Sequence, residues 1–143
     1  MRVLLAIALG FCCSRSVDAQ TIDAVVPSLE FAVTGGTWAQ GGVRGQYRVL
    51  VFSGGFEHIV SEVYIQWIRD PESSSDTAAL VRSVPARQAN HFWRVNGPPV
   101  VQRRPGGATV TVRLVDPHDS QPAQICVFTV GTPGEYAGSC RTG

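Results

Sequence analysis

Residues Thr109 to Val115 read T-V-T-V-R-L-V, and that run constrains the fold more than any other feature of the chain. Val110, Val112 and Leu114 fall on one face of an extended segment, and Thr109, Thr111 and Arg113 on the other. This is the period of a half-buried strand. On a helix the same residues would scatter their apolar side chains around the axis.

The same period recurs elsewhere. From Gln46 to Ser53, Tyr47, Val49 and Val51 share a face. From Ile59 to Arg69, Ile59, Val63, Ile65 and Trp67 oppose Glu62, Tyr64 and Gln66. Gly54 and Gly55 stand between these two runs, and a glycine pair supplies the positive φ that tight hairpin turns demand. The spacing therefore predicts one long hairpin over 46–69. Shorter strands are expected at 29–34, 79–84, 91–95, 100–103 and 125–130, each bounded by proline, glycine or asparagine turn residues. No window carries a convincing helical period, and a single helical turn near 74–79 is the one expected helical feature. Seven to eight short strands imply an all-β, antiparallel β-sandwich. An immunoglobulin-like Greek key is the expected form and a small β-barrel the alternative. Gly35 to Gly42, G-G-T-W-A-Q-G-G, reads as a glycine-flanked loop with Trp38 at its centre.

The first nineteen residues read differently. Arg2 is followed by an apolar run from Val3 to Phe11 and then by a short polar segment ending Val17-Asp18-Ala19, the organisation of a cleaved signal peptide. The run is shorter than the ~20 residues of a membrane-spanning helix. Cleavage after Ala19 would leave a single domain over 20–143. Residues 20–28 are expected to be a flexible N-terminal segment, and 131–143 a tail. Cys12 and Cys13 would be discarded with the signal; lipidation of one of them is the alternative. Cys126 and Cys140 would remain and pair in an oxidising compartment. The loop they close spans about 15 residues, for which chain entropy suggests ~3 kcal/mol. A Cys-x-x-Cys redox motif is absent.

Every basic residue is arginine, and the sequence holds twelve of them against eleven acids. Loss of Arg2, Arg15 and Asp18 would leave the two signs equal. A balanced chain has no electrostatic footprint for nucleic acid or for an anionic membrane, so neither partner is expected.

The candidate sites are sparse. The histidines are His58, His91 and His118, and no Gly-x-Ser-x-Gly elbow accompanies them; Ser53 sits at a hairpin turn with no helix behind it. Asp116, His118 and Asp119 could ligate a divalent ion, but Asp-Pro after a strand is an ordinary turn. Asp70, Glu72 and Asp76 could offer oxygens to calcium, yet lack EF-hand spacing and enclose Pro71. Glu57 and Glu62 are an odd number apart, so one strand sends them to opposite faces. Trp67 continues an apolar face and is expected in the core; Trp93 shares a face with His91 and Val95. Trp38 has two readings, a lid folded onto the core or an exposed anchor for a partner, since tryptophan dominates binding hot spots. Neither a metal nor a cofactor is expected. The function these features imply is a non-catalytic extracytoplasmic binding module for a protein or glycan. A small secreted metal-dependent enzyme is the alternative.

Overall fold

The computed structural model describes residues 28–55, 59–90 and 93–143. The expected signal segment (residues 1–19), residues 20–27 of the expected flexible segment, Glu57, His58 and His91 lie outside them. Nine strands form two antiparallel sheets, with no helix among the described residues. The first sheet runs β1 (Leu29–Gln40), β2 (Val43–Gly54), β3 (Val60–Arg69) and β4 (Ala79–Pro85), in that order. The second is built on β7 (Gly107–Val115), β8 (Gln124–Val130) and β9 (Tyr136–Thr142). β5 (Arg94–Val95) and β6 (Val100–Arg104) lie end to end along the free edge of β7.

The sandwich agrees with the sequence reading, and the sheets do not close into a barrel. Its connections differ from a Greek key. Each sheet is a meander in which β1 to β4 pair in chain order, as do β6 to β9. Hairpin chemistry accounts for this. Gly41 and Gly42 both take positive φ, at 58° and 80°, as a type I′ turn between β1 and β2 requires. The hairpin of β2 and β3 forms as expected, with Tyr47 opposite Trp67 and Val49 opposite Ile65. Gly54, however, still belongs to β2, paired with Val60, and of the glycine pair only Gly55 takes positive φ, at 114°, so the connection is longer than the tight turn expected there.

The inward rows meet as one core. Tyr47, Val49 and Val51 of β2 and Val63, Ile65 and Trp67 of β3 are fully buried. They face Val110, Val112 and Leu114 of β7 and Cys126, Phe128 and Val130 of β8, which are equally buried. At ~25 cal/mol per Å² of apolar area removed from water, these rows are the main stabilising term.

Three expectations need correction. The helical turn at 74–79 is absent; Asp76 donates its amide to Ser73 in a simple turn and β4 begins at Ala79. The loop at 35–42 is strand up to Gln40. The tail at 131–143 contains β9, which pairs with β8 along its whole length. The Cys126–Cys140 disulfide joins directly opposed residues of those two strands, with Cα atoms 4.0 Å apart. Phe128 hides β9's apolar period. A Cβ at Gly138 would lie 2.2 Å from the Phe128 ring, so the row facing the core reads Tyr136, Gly138, Cys140.

The assigned faces lead to a direct expectation. Val112→Asp should lose roughly 3–5 kcal/mol in urea or guanidinium melts, because an unpaired carboxylate enters the core. Thr111→Asp, half-buried on the opposite face, should lose about 1 kcal/mol or less. Equal losses would contradict the assignment.

Candidate functional site

A cleft of about 840 Å³ opens at the end of the sandwich where the β1–β2 and β6–β7 hairpins lie side by side. Its position follows from the local chain chemistry. Gly36 is an extra residue in β1, set between the pairs Gly35–Tyr47 and Thr37–Gln46, with φ at 63°. It forms a bulge of the kind that places glycine in the left-handed region. A Cβ there would lie 2.7 Å from that of Ala108 on the opposite sheet, so the position has no room for a side chain.

The bulge shifts the phase of β1. Before it the odd-numbered residues Phe31 and Val33 are the more buried; after it the even-numbered Trp38 is. Trp38 is therefore 5% exposed and joins the core, lying over Gly45, its partner on β2. Its indole N–H donates to the Gln46 carbonyl at 3.2 Å. Of the two readings of this residue, the geometry is that of the lid. It is not an indole standing in water on a loop, because the bulge turns it inward. It also lines the cleft and forms part of its floor.

One wall is the β6–β7 turn, Arg104-Pro105-Gly106-Gly107, with Arg103 before it; the facing side carries Arg44 at the start of β2. Gly131 and Thr132 supply a further wall from the β8–β9 loop. That loop is held from inside. The Tyr47 hydroxyl and the Trp67 indole N–H both donate to the Gly131 carbonyl, each at 2.9 Å. Thr132 donates its amide and hydroxyl to the Glu135 carboxylate, at 3.2 and 3.1 Å.

Charge is unevenly spread in the cleft. Asp70 is the one carboxylate lining it, against Arg44, Arg103 and Arg104. Among the described residues the ion pair present is Arg69 with Glu72 at 3.3 Å, outside this lining. The three cleft arginines have no carboxylate within salt-bridge reach among the described residues. Burial pushes the Tyr47 phenol above its ordinary range; Glu135 adds to the rise and Arg104 opposes it. Arg104 and Glu135 thus both act on the hydroxyl behind the loop.

The other candidates are not brought together. Asp116 accepts from the Ser120 hydroxyl, from the His118 amide at 2.9 Å and from the Ser120 amide at 3.1 Å. Those bonds, the Ser120 hydroxyl foremost, hold its carboxyl below the usual range. It is the keystone of a turn whose Asp119 has φ at 53°. Asp70, Glu72 and Asp76 remain in an exposed or half-exposed loop, and Glu72 is engaged by Arg69. Among the described residues no three histidine, cysteine or acidic side chains gather as a metal site. Glu62 lies on the outer face and accepts from the Tyr64 hydroxyl at 3.0 Å, while Ser53 donates to Glu30. Sequence reasoning missed the arginine cluster, since Arg44 and the Arg103-Arg104 pair come from separate hairpins. Comparisons with protein-family models, with curated proteins and with solved structures return no match.

Two outcomes follow from this geometry. Trp38→Ala should cost ~3–5 kcal/mol in a denaturant melt, as expected for a truncated core aromatic; an unchanged midpoint would mean the indole is not packed. Tyr47 keeps its proton to a higher pH in the folded chain than in the unfolded one. Its contribution to stability is therefore full below the ordinary 10.0 and is lost as pH rises through the folded value. Melts between pH 8 and 11.5 should fall more steeply for the natural chain than for Tyr47→Phe; parallel slopes would contradict the burial of this hydroxyl.

Proposed function

We propose that this chain is an extracytoplasmic, non-catalytic binding domain that holds its ligand in the end cleft. The composition of the cleft carries the reading. A guanidinium stays protonated at any physiological pH, so it contributes charge and directed hydrogen bonds and does not shuttle protons. Three of them, an aromatic floor and glycine-rich walls make a surface suited to recognition. The volume is in the range of small-ligand sites, ~300–1,000 Å³. The walls rest on paired strands and on a loop pinned to the core, so little ordering would be needed on binding.

The extracytoplasmic assignment is supported by the N-terminal pattern of residues 1–19 and by the Cys126–Cys140 bond, which is compatible with an oxidising compartment. No helix among the described residues is long and apolar enough to cross a membrane.

The test uses the disulfide-bonded chain on arrays of peptides and glycans, in parallel with Ala39→Trp. Ala39 is exposed and lines the cleft, so a large side chain there obstructs the opening without entering the core. The expected result is a ligand set bound by the natural chain and weakened tenfold or more by the variant, at an unchanged melting midpoint. Binding insensitive to Ala39→Trp, or chelator-sensitive turnover of any arrayed compound, would overturn the proposal.

A further inference from the structure

We infer that the cleft is an oxyanion clamp, in which Arg44 on one side and Arg103 and Arg104 on the other grip a carboxylate, sulfate or phosphate group. The inference rests on the binding-domain reading and names the chemistry of its ligand.

Three observations carry it. The first is convergence. Arg44 and the Arg103-Arg104 pair lie about sixty residues apart in sequence, and the two hairpins bring them to one opening. Across the whole chain basic and acidic residues nearly balance, so three cations beside a single lining carboxylate is a local excess. The second is the lack of internal partners. A surface arginine with a nearby acid can pair with it, as Arg69 does with Glu72. The three cleft arginines have no such pair among the described residues, and Glu135, the next acid along the loop, already accepts two bonds from Thr132. Their donors remain available to a ligand.

The third is the floor. Trp38 is buried beneath the opening, and Tyr47 behind it is buried and feels Arg104 electrostatically. Low-dielectric walls lined by one sign of charge focus the field and raise the local concentration of the opposite ion. Arginine's planar fork matches an oxyanion with two parallel hydrogen bonds, and forks approaching from two sides also fix its orientation. An edge strand can also use an inward-directed arginine simply to discourage strand pairing. Arg103, opposite buried Ala108, occupies such a position. Arg44 and Arg104 are free of that explanation and give the cleaner variants.

The experiment records the arginine Nε–H and tryptophan indole resonances of the disulfide-bonded chain at low salt. Sodium phosphate, sodium sulfate and sodium acetate are titrated separately. The expected result is saturable movement of Arg44, Arg103, Arg104 and the Trp38 indole, weakening as salt screens the charges. Arg44→Gln and Arg104→Gln should each weaken it tenfold or more, while Arg113→Gln, on the outer face of β7, leaves it unchanged. Saturation by phosphate and sulfate alone assigns a tetrahedral oxyanion, and saturation by acetate alone a carboxylate. Linear, equal movement of all arginines would overturn the clamp, as would saturation that survives both cleft variants. If the clamp fails while an arrayed ligand is still lost on Ala39→Trp, the cleft binds a neutral ligand and the binding-domain reading stands.

Discussion

The Gly131 carbonyl is where the two sheets are fixed to one another. Tyr47 and Trp67 are the largest fully buried side chains, and each carries one polar atom into the core. A buried hydroxyl or indole N–H without a partner costs ~1–3 kcal/mol. One carbonyl has two lone pairs, and both donors use it. The acceptor belongs to the β8–β9 loop and the donors to the opposite sheet, so satisfying them sets how the sheets meet at this end. The loop cannot move away without leaving two donors unpaired. Because Gly131 and Thr132 are also a wall of the cleft, the core's hydrogen-bonding requirement and the shape of the opening are the same constraint.

The sequence disclosed the parts of this fold that depend on near neighbours. Alternation placed Val110, Val112 and Leu114 inward, and the Gly54-Gly55 pair marked the turn between β2 and β3. It concealed what depends on phase or on distant contacts. Trp38 is out of step with Phe31 and Val33, and only the single bulged residue Gly36 brings it inward; one inserted residue exchanges the faces of everything beyond it. β9 was hidden because Phe128 occupies the space above Gly138, which removes the apolar residue that alternation would have shown. The choice between a meander and a Greek key rests on which strands find each other across the sheet, and no local pattern records that.

The candidate site followed the same division. The twelve arginines look dispersed along the sequence, and composition alone argued against an electrostatic partner. The cluster exists because β2 begins, and β6 ends, at the same end of the sandwich. In the opposite sense, Asp116, His118 and Asp119 look like ligands in the sequence, yet the Asp116 carboxylate is occupied by backbone amides and Ser120. A carboxylate that organises its own turn is already satisfied by its neighbours.

The outer strands carry a further consequence. An exposed strand edge offers a row of unpaired amides and carbonyls on which another molecule can lay down a strand of its own. β4 interrupts that row with a register shift opposite Trp67 and Ile68, places Arg82 on the row opposite buried Trp67, and ends at Pro85, which has no amide hydrogen to give. β6 does the same with Arg103. A neighbouring strand approaching either edge would have to strip water from a guanidinium for which the interior offers no counter-ion. At β4 and β6 the borders of the sandwich thus work against fibrous, edge-to-edge assembly. In the extracytoplasmic setting proposed for this chain, where ATP-driven chaperones do not reach, that protection would count for most.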